Sequence, residues 1–332
     1  QIVNESLLIN YDATSEEDLI WGFGLGCNGA VQILLEKLDR SEMQSLMGES
    51  QGTACGTCFR TLKVPPKTAL HRSLNLSPLN LIAECLKVKK QGAIETIFAV
   101  EGKLEVKLVS RYIIYPDDTT YTDIREPELQ KAIALDTITI NKTRQSTVNK
   151  YQLSSGSVEV FIEVIKPPIS LIIFGAGRDV LPVVELAKAI GWQVTVVDCR
   201  AQEKTYQRFA KADEIILTRR QIIDQQILVD ENTVAVVMTH NYFDDRDIIK
   251  FLLPTKIPYL GVMGSKNRIA KIIKELNPTK NQLEKLYSPI GLDIGADTPA
   301  EIASAIVSEI QAVLTQHNAG FLKHRSQPIH QR

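Results

Sequence analysis

Short apolar runs alternate with stretches of helical periodicity through the second half of the chain. The expected strands and helices are, in turn, 170–174, 193–197, 213–217, 233–238 and 259–262, and 180–190, 221–228, 244–253, 266–276 and 298–314. Strands that alternate with helices predict a parallel, doubly wound sheet. The fold class expected for residues 167–316 is therefore α/β and Rossmann-like. This domain should begin at Pro167-Pro168, because consecutive prolines interrupt a sheet.

The pattern of residues 1–166 is less regular and predicts a mixed α+β domain. Helical spacing occurs at 15–19, 41–46 and 77–88, while 30–35, 97–100, 104–115 and 158–165 resemble strands. Residues 317–332 are polar and basic and bury little apolar surface, so we expect a flexible tail.

Composition narrows the classes of function. The 332 residues carry a net charge of −1, which gives no electrostatic reason to expect nucleic acid or an anionic membrane as a partner. No apolar stretch approaches the roughly 18 residues of a membrane span. The start lacks the basic region of a signal peptide, and the five cysteines are an odd number, so reduced thiols in the cytoplasm are expected. The chain begins at Gln1, which suggests a fragment.

The first candidate ligand site is the turn Gly175-Ala176-Gly177, which follows a strand and opens a helix. Gly175 permits a tight turn, and Gly177 lets a phosphate approach the N–H groups of the helix N-terminus. Asp198 ends the next strand, where an acid can accept hydrogen bonds from ribose hydroxyls. The alternative is a tight strand-to-helix turn whose glycines serve packing alone.

Two later strands are also followed by candidate ligand-binding residues, which should lie at the same edge of the predicted sheet. His240 and Asn241 follow the fourth strand, and His240 is a candidate acid, base or phosphate donor. Gly261, Gly264 and Ser265 follow the fifth strand, and their backbone N–H groups are candidates to hold an oxyanion. The alternatives are helix capping by the histidine and an ordinary turn capped by the serine.

Glycine-rich loops supply the remaining candidates. Before the last helix, Gly291, Asp293 and Gly295 are not explained by the capping of that helix by Thr298 and Glu301. Near the start, the candidates are Gly24, Gly26, Cys27 and Gly29. Cys27 is a candidate nucleophile, sulfur carrier or soft ligand, or else a small buried residue. Cys55 and Cys58 form a lone C-x-x-C with no complete metal set nearby, so no metal is predicted.

Several of these segments together resemble the XdhC/CoxI family of accessory proteins for molybdenum hydroxylases such as xanthine dehydrogenase. The matching stretches are WGFGLGCNGAVQILLEKL from Trp21, IIFGAGRDVLPV and GWQVTVVDCR around the first turn, VVMTHNYFDDRD, YLGVMGSKNR, and SPIGLDIGADTPAEIASAIVSEI from Ser288. Family members usually carry a Ser-Gly-Gly-Cys-type segment upstream of the first stretch, and this chain begins too late to contain it.

The resemblance implies a protein that binds the molybdenum cofactor (molybdopterin) and assists its sulfuration and insertion into a hydroxylase. It further implies a cofactor chaperone rather than a catalyst, with the apo-hydroxylase and a cysteine desulfurase as partners. A homodimer is a candidate state that the sequence does not decide. Fold alone does not settle function. The alternatives are an NAD-dependent oxidoreductase, favoured by Asp198, and a non-catalytic scaffold whose glycine turns are structural.

Overall fold

The computed structural model describes residues 7–12, 30–35, 77–143, 146–200 and 204–326. The chain divides into two compact units, Gln1–Pro167 and Pro168–Arg332. None of the helices in these ranges has the length and apolar character that crossing a bilayer requires.

The first unit contains an antiparallel pair of strands and a larger antiparallel sheet. Its elements are β1 (Leu7–Asp12), β2 (Ala30–Leu35), α1 (Pro78–Val88), β3 (Gly92–Gly102), β4 (Arg111–Ile114), β5 (Thr120–Thr122), α2 (Pro127–Thr143), β6 (Thr147–Leu153) and β7 (Gly156–Ile165). β1 pairs with β2, and the larger sheet has the strand order β5-β4-β3-β7-β6. α1 packs through Leu81 and Cys85 onto Ile94 and Ile113, and Ile133 of α2 joins a separate apolar cluster with Ile97.

The second unit is built around one parallel sheet. Its elements are β8 (Ser170–Phe174), α3 (Val180–Ala189), β9 (Gln193–Asp198), α4 (Lys204–Arg208), β10 (Glu214–Leu217), a 3₁₀ turn (Arg220–Ile222), α5 (Ile223–Gln226), β11 (Thr233–Val237), α6 (Tyr242–Leu252), β12 (Tyr259–Val262), α7 (Lys266–Leu276), α8 (Lys280–Glu284), β13 (Leu286–Tyr287), α9 (Pro299–Leu314) and a 3₁₀ turn (Leu322–His324).

The order of the six parallel strands is β10-β9-β8-β11-β12-β13. The chain moves outward from β8 to β10 and then returns to the other side of β8 with β11. Apolar residues of α3 and α9 cover one face of the sheet, and those of α6 and α7 cover the other. The α/β, Rossmann-like class and the mixed first unit are therefore confirmed. In such sheets ligands bind where the strand order reverses, beyond the carboxyl ends of the strands.

The element predictions differ from the structure at several places. The strand expected over 104–115 is wrong in its first half, since only Arg111–Ile114 is extended and paired. The sequence did not indicate α2, α4, α8, β5, β6 or β13. The helices expected at 15–19 and 41–46 lie outside the described residues.

Candidate functional site

A cleft of about 280 Å³ opens at the carboxyl edge of the parallel sheet, at the reversal between β8 and β11. The predicted residues that line it are Gly175, Gly177, Asp198 and His240. The remaining lining residues are Ala176, Cys199, Arg200, Arg208, Met238, Thr239 and Asp244. The structure thus brings together three strand ends that are far apart in the sequence.

Gly175 is required by the close approach of two strand ends. Its φ of +135° lies in a region that side chains rarely adopt, and a Cβ would collide with the Met238 carbonyl oxygen. Its N–H donates to the Val197 carbonyl oxygen over 2.9 Å. Gly175 therefore holds the ends of β8, β9 and β11 together, and its own N–H is already used.

Gly177 makes room for a carboxylate of the protein itself. A Cβ at this position would collide with Oδ1 of Asp179, which stands directly before α3. Oδ2 of Asp179 lies 2.7 Å from His240 Nε2. A helix N-terminus attracts negative charge, and the Asp179 carboxylate therefore lies near the position expected for a ligand phosphate, although it does not cap the helix. The sequence analysis did not single out Asp179.

His240 has a strained backbone at the wall of the cleft. Its φ of +57° is in the left-handed region, which typically costs a non-glycine residue about 1–3 kcal/mol and often marks a functional site. His240 does not cap the next helix. Asn241 does so, since its side-chain oxygen accepts from the N–H groups of Phe243 (3.0 Å) and Asp244 (3.1 Å).

Asp198 is engaged by its own loop. The residue is only 3% exposed. Its Oδ1 accepts from the Arg200 N–H over 2.9 Å, and its Oδ2 accepts from the Thr205 hydroxyl over 2.6 Å. These bonds satisfy much of the acceptor capacity that a ribose would need, so Asp198 orders the segment after β9.

The cleft contains charged and sulfur groups that sequence reasoning missed. Arg200 Nη2 donates to the Thr239 carbonyl oxygen over 3.4 Å, and Arg208 Nη1 donates to the Ala176 carbonyl oxygen over 2.6 Å. Burial, with the charge of Asp244 next in importance, raises the pKa of the Cys199 thiol to about 12. This thiol is therefore protonated near neutral pH and a weak nucleophile there.

The turn after β12 differs from the first turn because a side chain fills it. A Cβ on Gly264 would meet Arg268 Nη2 at 2.5 Å. Arg268 Nη2 also donates to the Met263 carbonyl oxygen over 2.6 Å and lies 3.0 Å from Oδ2 of the fully buried Asp245. Ser265 caps α7 by accepting from the Arg268 N–H over 3.3 Å. Gly264 and Ser265 thus surround an internal ion pair.

The other predicted residues do not line this cleft. A Cβ on Gly261 would collide with the side chain of Ile290, so this glycine serves packing. The Gly291 N–H donates to Glu309 Oε1 over 3.1 Å, and Asp293 and Gly295 are exposed. The glycines and cysteines between residues 22 and 58 lie outside the described residues, and this set comprises Gly24, Gly26, Cys27, Gly29, Cys55 and Cys58.

Comparison with known proteins identifies the second unit. Residues 171–310 match the model of the XdhC Rossmann domain. A probable xanthine dehydrogenase subunit of Bacillus subtilis (strain 168) is 29% identical over 307 residues, which are 92% of this chain and 76% of that protein. The Uncharacterized protein YqeB of Escherichia coli (strain K12) is 24% identical over 177 residues, 52% of this chain and 32% of its own length.

Among solved structures, a xanthine dehydrogenase from Bacillus halodurans is 21% identical to this chain with a TM-score of 0.44, over 73% of this chain and 96% of that one. The resemblance noted in the sequence agrees with the family match, which identifies residues 171–310 as an XdhC Rossmann domain.

Proposed function

We propose that this protein is an accessory factor of a molybdenum hydroxylase such as xanthine dehydrogenase, and that its Rossmann cleft binds the molybdenum cofactor. The observation that carries the proposal is the cleft at the reversal of strand order, in a chain related over most of its length to a probable component of xanthine dehydrogenase. In doubly wound sheets, ligands usually bind at this position, which supports the proposal.

The cleft's donor set fits an anionic pterin phosphate. Arg200 and Arg208 provide guanidinium donors, and Thr239 and His240 provide polar groups on the opposite strand end. A volume of about 280 Å³ is close to the lower end of ordinary ligand sites, which suits a ligand of pterin size that is held at one end.

When bound in the hydroxylase, the cofactor supplies the oxygen-transfer chemistry of the molybdenum centre. This chain's role would be to hold the phosphate end, keep the cofactor out of bulk water and release it to the apo-hydroxylase after sulfuration by a cysteine desulfurase. Cys199 is a poor sulfur carrier in this scheme, because its raised pKa leaves little thiolate.

A nicotinamide dinucleotide is the alternative ligand, and the strand order is the observation in its favour. This alternative is weakened because the Asp198 carboxylate, the group expected to bind the ribose, already accepts hydrogen bonds from the Arg200 backbone N–H and the Thr205 hydroxyl. Titration with NADH separates the two ligands: the proposal expects no saturable binding at micromolar concentrations.

The proposal is tested by titrating the protein with molybdenum cofactor under exclusion of air. Wild type should bind at a stoichiometry near one, and Gly177→Leu should lose binding while its circular dichroism is unchanged, because the new side chain displaces the Asp179 carboxylate beside a turn that borders the cleft. Gly320→Leu is the matched control, since Gly320 is exposed and does not line the cleft. Failure of wild type to bind, or equal binding by Gly177→Leu, contradicts the proposal.

A further inference from the structure

We propose that the anionic group of the ligand binds to Arg200 and Arg208, and not to the glycine turn before α3. The proposal rests on the function proposed above and specifies how the ligand is oriented in the cleft. It names two specificity-determining residues that the glycine motif does not indicate.

A carboxylate beside the glycine turn disfavours the binding of a phosphate there. Oδ1 of Asp179 lies where a Cβ on Gly177 would collide with it, and Oδ2 is paired with His240 at 2.7 Å. A phosphate at the same helix N-terminus would lie beside this carboxylate, and like charges at such a short distance repel each other. The first N–H of the turn, that of Gly175, is used by the Val197 carbonyl oxygen.

The opposite wall carries positive charge with free donors. Each guanidinium is held by one bond to a main-chain carbonyl oxygen, Arg200 to Thr239 and Arg208 to Ala176. Each has five N–H donors, so several remain for a ligand. Within the described residues, neither arginine forms an ion pair with a carboxylate. Fixed guanidinium groups with free donors are suited to bidentate binding of a phosphate.

Two acids, Asp198 and Asp244, also line the cleft, and each has a partner on another residue. Asp244 lies 3.4 Å from Arg220, which is outside the set of lining residues. The Asp198 carboxylate accepts hydrogen bonds from the Thr205 hydroxyl and from the backbone N–H of Arg200. The cleft therefore has a positive wall after β9, while Asp179 lies at the start of α3, paired with His240 and outside the set of lining residues.

The experiment compares two forms of one probe. The fluorescent pterin obtained by air oxidation of the molybdenum cofactor is used with its phosphate and after removal of the phosphate by a phosphatase. The measured quantity is the ratio of the two dissociation constants, obtained from fluorescence titration. The variants are Arg200→Gln, Arg208→Gln and Asp179→Asn, and the control is Arg125→Gln, an exposed arginine of the first unit.

Wild type should prefer the phosphorylated probe, and each of the two cleft variants should lower that preference about tenfold, which is the usual contribution of a charge-assisted hydrogen bond. Arg125→Gln and Asp179→Asn should leave the ratio within about threefold. If Asp179→Asn raises the preference by tenfold or more and the arginine variants do not change it, the phosphate binds at the glycine turn and the inference is wrong.

The remaining outcomes separate the inference from the proposed function. Equal binding of both probe forms by wild type supports a pterin site and overturns the arginine assignment. Binding of inorganic phosphate that is lost in both arginine variants, without binding of either pterin, supports the anion site and contradicts the cofactor role. Absence of all binding contradicts both.

Discussion

The two glycine-containing turns at the carboxyl edge of the parallel sheet look alike in the sequence but differ in the structure. After β8, the turn around Gly177 borders a cleft of about 280 Å³. After β12, the turn around Gly264 is filled by Arg268, which pairs with the buried Asp245. Each turn links a strand to a helix, and each has glycines that let another group come close to the backbone.

The difference shows that glycines in a turn indicate only that another group comes close to the backbone. They do not indicate which group it is. At Gly264 the group is a guanidinium from the same chain, and at Gly177 it is the carboxylate of Asp179. A ligand site at this edge therefore depends on which side chains leave space between the strand ends. In this protein the space lies between Arg200, Arg208 and His240.

The strongest test of this comparison is removal of the buried acid. Asp245→Ala should lower the free energy of unfolding by about 3–5 kcal/mol, because it leaves Arg268 without its partner in a largely buried position. Asp247→Ala is the control: Asp247 pairs with Arg246 near the surface, so its loss should cost less than about 1 kcal/mol. Urea denaturation measures both, and equal effects would contradict the account of the filled turn.

A second buried acid, Glu95, has no ion pair among the described residues, and its effect on stability should depend on pH. Glu95 of β3 is fully buried, and burial raises its pKa to about 8, opposed by the hydrogen bond with Thr137. The single Thr137 proton lies between Glu95 Oε1 (2.6 Å) and the Ile133 carbonyl oxygen (2.8 Å). A protonated Glu95 can donate to Thr137 while Thr137 donates to Ile133, whereas Asp245 has the guanidinium of Arg268 beside it.

The sign of the pH effect follows from this raised pKa. Because folded Glu95 keeps a proton that the unfolded chain releases, the stability it contributes is complete below about pH 4.5 and is lost as the pH rises to about 8. Glu95→Gln should remove that loss and be more stable than wild type by about 2–3 kcal/mol at pH 9. Urea denaturation of wild type and Glu95→Gln at pH 5, 7 and 9 checks this. If the difference in their free energies of unfolding is the same at all three pH values, the prediction is wrong.

A smaller effect is expected when the filled turn is disturbed directly. Gly264→Val should cost about 1–3 kcal/mol, since its side chain displaces Arg268, and it should leave ligand affinity at the cleft unchanged. Thermal denaturation and the pterin titration together measure the two effects. Lost binding with unchanged stability would mean that the turn after β12 is a ligand site after all.

The smallest effect concerns the strained backbone at His240. Replacing a residue at φ +57° by glycine should stabilise the chain by up to about 1 kcal/mol. Gln316→Gly is the control, because Gln316 has the same φ and does not line the cleft. His240→Gly also loses the contact with Asp179, so its gain should be smaller than that of Gln316→Gly. A larger gain at His240 would show that the Asp179 contact contributes no stability.

Periodicity predicted the second unit well because its strands are buried on both faces and its helices are long. β8, β12 and α7 have the expected residues at both ends. Short elements such as α4 and β13 escaped prediction, since five and two residues are too few to show a period. In the first unit, β6 combines Thr, Asn, Lys and Gln, and its pairing with β7 supplies what its sequence does not indicate.

The candidate site was predictable in part and for a physical reason. Gly175 and Asp198 could be placed at the edge because they end strands of a parallel sheet. Arg200 and Arg208 could not, because an arginine in a loop or on a short helix resembles any solvated residue until the fold shows where it lies. Asp179 was within the recognised motif, and an acid at a predicted phosphate position was the signal that could have identified it.

The most direct test of the central claim is the position of the cofactor in a crystal of the loaded protein, with data collected at the molybdenum absorption edge. The account predicts an anomalous peak at or beside the cleft between β8 and β11, with phosphate density within hydrogen-bonding distance of Arg200 or Arg208. A molybdenum peak elsewhere on the chain, with no density in this cleft, would contradict it.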